Sequence, residues 1–175
     1  PQFSEEGNKP WVFFGDNNLY PYYLDDLVFS SSIHGAIVKG TADMIYAGGL
    51  DSPDKDKHVD QWLRLQSLFP DDTLYKLAWD LKLYGNAYIN VIWSVDRTAI
   101  AEVHHLPSNS MRTGHSDDDE KIPTFYHSAN WNRYNDARYQ PTAIPAFSTE
   151  DREAASQVIH VKLYNPISYY YGLPD

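Results

Sequence analysis

The chain has 175 residues, 42% of them hydrophobic, and a formal net charge of −10: one domain's length with enough apolar content for a core, and an acidic balance that disfavours tight, non-specific binding to a phosphate backbone. It has no cysteine, which excludes disulfide frameworks, thiol catalysis and thiolate-held zinc. No apolar run approaches the roughly 20 residues of a bilayer span, and no signal-peptide pattern opens the chain, so no membrane role is expected.

Residues 1–29 carry "FSEEGNKPWVFFGDNNLYPYYLDDLVF". This stretch reads as an extended aromatic arm, with a turn at Gly15-Asp16-Asn17-Asn18 and Pro21 restricting Tyr20. Such an arm must lie across the rest of the domain or across a neighbour to cover Trp11, Phe13, Tyr20 and Tyr22. Ser30, Ser31 and Ser32 then offer N-caps to a helix in which Ile33, Ala36, Ile37, Gly40, Thr41, Met44 and Ile45 follow i, i+3, i+4 spacing. Gly48-Gly49 is its expected C-cap. Gly35 and Gly40 inside it each cost about 1 kcal/mol relative to Ala, which close packing against another backbone would offset.

A charged loop follows, then a second helix over 59–69 with Trp62 and Leu63 inward. A third is capped by Asp71 or Asp72 and carries Leu74, Leu77, Ala78 and Leu81 on one face. Gly85 ends that helix as a left-handed C-cap. From Ala87 the period is two, with Ala87, Ile89, Val91 and Trp93 on one face and Tyr88, Asn90, Ile92 and Ser94 on the other. A turn at Asp96-Arg97 returns the chain as an antiparallel partner. Further strands are expected over 110–113, 123–127 and 158–164, with residues 128–157 a long polar excursion. The pattern predicts an α+β fold: an arm (1–29), amphipathic helices (30–84) and a small, mostly antiparallel sheet (87–164) within a domain of residues 30–175.

No catalytic constellation emerges. His104 and His105 are adjacent on a strand and face opposite sides, so one ring is expected to pack and one to be exposed. Asp51, Asp54, Asp56 and His58 lack EF-hand spacing, and Asp117 to Glu120 read as a surface turn. Ser30 to Ser32 beside His34 are explained by capping. Arg133, Arg138 and Arg152 lie among Trp131, Tyr134 and Tyr139, a mix suited to stacking on single strands, yet acids are interleaved, and a packed or partner-facing loop is the simpler reading. No catalytic, metal, cofactor or nucleic-acid residue is assigned from the residues themselves. A monomeric carbohydrate- or peptide-binding α+β module is the alternative they leave open, with a hydrolase behind it.

Three pieces, in order, resemble the portal proteins of tailed bacteriophages. They are "GDNNLYPYYL" (15–24) leading into "SSIHGAIVKGTADMIYAGGL", "LKLYGNAYINVIWSVDRTAIAEVHHLPSNSMR" (81–112), and "VIHVKLYNPISYYYGLPD" (158–175). The residues that carry the resemblance are Gly15, Asn17, Pro21, Gly85, Asn86, Ala87, Tyr88, Pro107, His160, Tyr171, Gly172 and Pro174; residues 113–157 match least. The resemblance implies a non-enzymatic subunit of a ring, typically of twelve copies, at one vertex of the capsid. Double-stranded DNA would pass through it without sequence-specific binding. Its partners would be the major capsid protein, terminase and neck or tail adaptor proteins, and its setting the virion, with the host cytoplasm during assembly. This chain would be the N-terminal part of the wing. Opening on Pro1 and stopping at Asp175, before stem and clip, it is expected to be a piece of something longer. The aromatic arm is then the expected contact with a neighbouring copy.

Overall fold

A computed structural model describes residues 8–166 and 168–174. Its elements run α1 (Tyr20–Ser30), α2 (Ser32–Tyr46), α3 (Val59–Leu68), α4 (Asp71–Tyr84), β1 (Asn86–Trp93), β2 (Ile100–Leu106), β3 (Met111–Thr113), β4 (Thr124–His127), β5 (Thr142–Pro145) and β6 (Ser156–Lys162). The fold is α+β. The strands form two three-stranded antiparallel sheets, ordered β2-β1-β6 and β3-β4-β5.

β1 is the centre of the molecule because both of its faces are covered. Tyr88 points toward the second sheet and packs with Met111, Phe125 and Val158. Ile89 and Val91 point the other way, onto Val103 and the partly buried Leu68, Phe69 and Leu77 of the α3–α4 region. The period-two pattern that begins at Ala87 thus corresponds to two different cores. A parallel bridge between Ala146 and Val158 links the sheets.

The N-terminal segment departs from the expected extended arm in its second half. Of the two expected coverings, the rest of the domain or a neighbour, its first half takes the former. From Tyr20 it is helical, with Pro21 in the first turn of α1, where a fixed φ suits the helix and a missing N–H costs nothing. The segment before it is covered by this chain itself. Trp11 and Phe13 are buried with Trp131, and Val12 and Phe14 with Tyr171, while the Val12 N–H donates to the Thr113 carbonyl at 2.9 Å. Over the described residues, then, the aromatic cluster is intrachain core rather than a surface held out for a neighbour. Residues 1–7 of the expected arm lie outside the described residues.

Other departures have local causes. Ser31 caps α2, accepting from the His34 N–H, but the left-handed C-cap is Ala47 (φ 45°), ahead of Gly48 and Gly49. α4 has Pro70 at its N-cap without a side-chain cap; Asp71 and Asp72 lie in the first turn, where they complement the helix dipole. Leu63 of α3 faces outward, 57% exposed. The excursion at 128–157 contains β5 and two short 3-10 turns, Trp131–Arg133 and Ala137–Tyr139. β5 is an edge strand, which tolerates Pro145 at its end.

Candidate functional site

Gly85 ends α4 with φ 69° and takes the left-handed conformation that its position requires. A Cβ there would sit 2.7 Å from the Leu173 nitrogen. Gly172 lies across from it, where a Cβ would collide with the Gly85 carbonyl oxygen and come within 2.8 Å of the Leu163 nitrogen. Two backbones therefore touch at a point where neither tolerates a side chain.

Asn86 joins them. Its Oδ1 accepts from the Gly172 N–H at 2.8 Å, and its Nδ2 donates to the Gly172 carbonyl at 2.9 Å and to the Tyr84 carbonyl at 2.7 Å. The side-chain amide behaves as a peptide group would in a sheet, pairing with both polar groups of one residue. The same Oδ1 is 2.9 Å from Nε2 of His160, and since an amide oxygen only accepts, Nε2 carries the proton. The His160 ring stacks on Tyr88 at 4.4 Å. Burial holds this imidazole down to about 3, with Lys162 nearby adding to the depression. Ser108, just after Pro107, donates from Oγ to the Asn86 carbonyl at 2.7 Å.

The turn at 15–18 reaches the same region through a second layer. The Tyr171 ring stacks on Phe14 at 4.1 Å, its hydroxyl donating to the Val12 carbonyl at 2.6 Å and accepting from the Thr113 N–H at 3.1 Å. Asn18 Oδ1 accepts from the Phe14 N–H and from Arg112 Nε, and the Asn18 carbonyl accepts from Arg112 Nη2. Arg112 is fully buried, lies over the Trp131 ring at 4.8 Å and bonds carbonyls. Carbonyl and amide dipoles thus take the place of a counter-ion.

Gly85, Asn86, Tyr88, His160 and Gly172 therefore converge directly, with Pro107 adjoining through Ser108 and Tyr171 bridging to the N-terminal turn. Ala87 faces away, into a groove beside α4, and Pro174 follows the Leu173 contact. Gly15 and Asn17 act within their own turn. A Cβ on Gly15 would meet Tyr20 Cβ at 2.7 Å, and Asn17 Oδ1 accepts from the Leu19 N–H at 3.1 Å. Pro21 starts α1. Sequence reasoning missed Asn18 and Arg112, whose partners lie 94 residues apart, and Asp80. Asp80 Oδ2 accepts from the Ser108 N–H and pairs with His105 Nε2, both at 2.8 Å. Beside it, the Asp25 carboxyl takes the Tyr84 hydroxyl and Asn109 Nδ2, and burial raises it above the ordinary carboxylate range.

The arrangement is a structural clasp. The Asn86 amide, the Arg112 guanidinium and the Tyr171 hydroxyl are spent on backbone or side-chain partners, while the buried Tyr88 hydroxyl, Asn18 Nδ2 and Thr113 Oγ1 have none. Among the described residues no nucleophile stands beside a base at an open cleft. His105 packs and His104 is exposed against Glu102, as their strand positions predict. Asp51 and Asp54 pair with Lys55 and Lys57, and Asp117 folds its own turn by accepting from the Asp119 and Lys121 N–H groups. Among the described residues, no group of three or more His, Asp or Glu could hold a metal ion, and no helix is long and apolar enough to cross a membrane. The basic–aromatic loop is internally engaged. Trp131 is fully buried, Arg133 pairs with Asp136, and Arg152 lies over Trp93 while bonding the Arg97 and Thr98 carbonyls.

Comparison with solved structures gives the fold a context. Over 95% of its length the chain superposes on a chain from the neck of an empty gene transfer agent (GTA) particle computed with C6 symmetry, at a TM-score of 0.67 and 16% identity. Over 93% it superposes on one from the neck of a native GTA particle computed with C12 symmetry (TM-score 0.63, 17% identity), and over 87% on one from the native GTA virion (0.61, 18%). The chain shares its fold with part of these GTA chains. It spans 42%, 39% and 38% of those chains, respectively. No family model and no curated protein sequence matches it.

Proposed function

We propose that this chain is the N-terminal wing part of a portal-type ring subunit in a tailed-phage-like particle. In this role it is structural and not catalytic. The subunit forms a homo-oligomeric ring, twelve-fold, through which double-stranded DNA is packaged and ejected. The ring docks terminase during assembly and neck or tail adaptors afterwards, and sits in the major capsid protein shell at one vertex of the virion.

The observation that carries this reading is the clasp. The three sequence pieces that resemble portal proteins are far apart in the chain, yet their polar residues meet through Asn86, Tyr171 and Asn18 in a fold shared with GTA neck chains. A junction of fixed shape, with no chemistry at it, suits a subunit that must hold its place in a ring under load. The net charge of −10 suits a conduit past which DNA slides.

The test is to image the full-length subunit by electron microscopy. Closed rings with a central hole are the expected result. A monomer that binds glycans or peptides saturably would instead make the chain a binding module.

A further inference from the structure

Helix α2 is apolar on two opposite faces. Val38 and Ala42 are buried on the inner one, which packs against α1 and α4. On the outer one, Ile33 is 73% exposed, Ile37 57% and Met44 71%. At about 100° per residue, Ile33, Ile37, Gly40 and Met44 fall within a strip about 60° wide, whose centre lies about 170° from Ala42 and about 130° from Val38. A helix with an apolar strip on each of two faces can bury both only between two layers, and the described residues supply one of them.

The two glycines of α2 sharpen the point. A Cβ on Gly35 would stand 3.1 Å from the Val28 carbonyl, so α1 explains that glycine by close approach. A Cβ on Gly40 would meet nothing within 4 Å. A glycine in mid-helix costs about 1 kcal/mol relative to Ala, and nothing among the described residues accounts for it on the outer strip. Close approach of another backbone would.

Size and charge say what covers the strip. Phe29 (88% exposed) at the α1–α2 corner, Ile33, Ile37 and Met44 together expose about 550 Å², at the upper end of the apolar patches of monomers and a large part of the roughly 800 Å² that one partner contributes to a standard protein interface. α2 carries two formally charged residues, Lys39 and Asp43, which pair with each other at 2.9 Å. The segment is therefore neutral within a chain of net charge −10. Two copies can meet there without stacking like charges, whereas a phosphate backbone finds no cation that is not already paired.

We propose that a second copy of this chain packs on the outer face of α2, its backbone approaching most closely at Gly40. This rests on the ring reading, and it moves the copy-to-copy contact from the aromatic N-terminal segment to α2.

The test uses the full-length subunit, with any cysteine outside this cysteine-free chain replaced by serine. Ile37→Cys is labelled with a benzophenone maleimide and irradiated under assembly conditions. The expected product has twice the subunit mass, with the adduct mapping to another copy. Adducts confined to the same subunit, adducts to a different protein, or rings without any adduct would overturn the proposal. In parallel, Gly40→Leu is expected to lower ring yield more than tenfold while the unfolding midpoint of the unassembled subunit is unchanged or raised. Normal ring yield from Gly40→Leu overturns this inference alone; a parent subunit that never leaves the monomeric state overturns the ring reading together with it.

Discussion

The clasp around Asn86 and the outer face of α2 are opposites. In the clasp, the amide of Asn86, the guanidinium of Arg112 and the Tyr171 hydroxyl are buried and bonded within the chain, and two glycines let backbones touch. On α2, apolar groups are exposed, and a Cβ on Gly40 would meet no described residue within 4 Å. The first region is complete as it stands; the second lacks a layer. An incomplete surface of this kind is where function is to be sought.

The sharpest way to break this contrast is at the glycines. Gly172→Ala or Gly85→Ala would drive a Cβ into backbone on the far side, and Gly85 also has a left-handed φ. Each is expected to cost more than about 4 kcal/mol, enough to leave the chain insoluble or unfolded by circular dichroism. Normal folding of either would remove the clasp's geometric basis. Next in size is Asn86→Asp, nearly isosteric but unable to donate to the Tyr84 and Gly172 carbonyls. It is expected to cost about 3 kcal/mol in urea unfolding, and a loss under 1 kcal/mol would mean the amide is incidental.

Acid probes the same region. The His160 imidazole is held well below its ordinary value, to about 3, so between pH 6.5 and about 3 the unfolded chain binds a proton that the folded chain refuses. This contribution to stability is fully present above pH 6.5 and is lost as pH falls through that window, at up to about 1.4 kcal/mol per pH unit. His160→Asn should flatten the slope relative to the parent chain; equal slopes would place the acid sensitivity elsewhere. The smallest effect belongs to α2. In the unassembled chain Gly40→Ala should raise stability by about 1 kcal/mol, and Ile33→Gln should change it by less than about 0.5 kcal/mol. A large loss from Ile33→Gln would mean that the outer face is already covered.

What could be read from sequence follows the same division. The Gly85 cap, the Ser31 cap and the switch to period two at Ala87 are local, set by φ, capping and alternation, and they appear where the pattern puts them. Gly172 lies 86 residues from Asn86 and Arg112 lies 94 from Asn18, and no local rule supplies such pairings. The α1 helix was hidden because Pro21 reads as a breaker until its first-turn position is known. On α2, periodicity reported an apolar stripe correctly but could not say what covers it. Val38 and Ala42, outside that stripe, turned out to be the residues facing the core of this chain.

The most direct measurement is a cryo-electron microscopy map of the assembled full-length subunit, fine enough to place side chains on α2. The account predicts a closed ring in which the contact among Gly85, Asn86, His160 and Gly172 lies inside every subunit and the Ile33–Met44 face of α2 is buried on the adjacent copy. A ring with that face in solvent, or one whose subunits meet through the clasp, would contradict it.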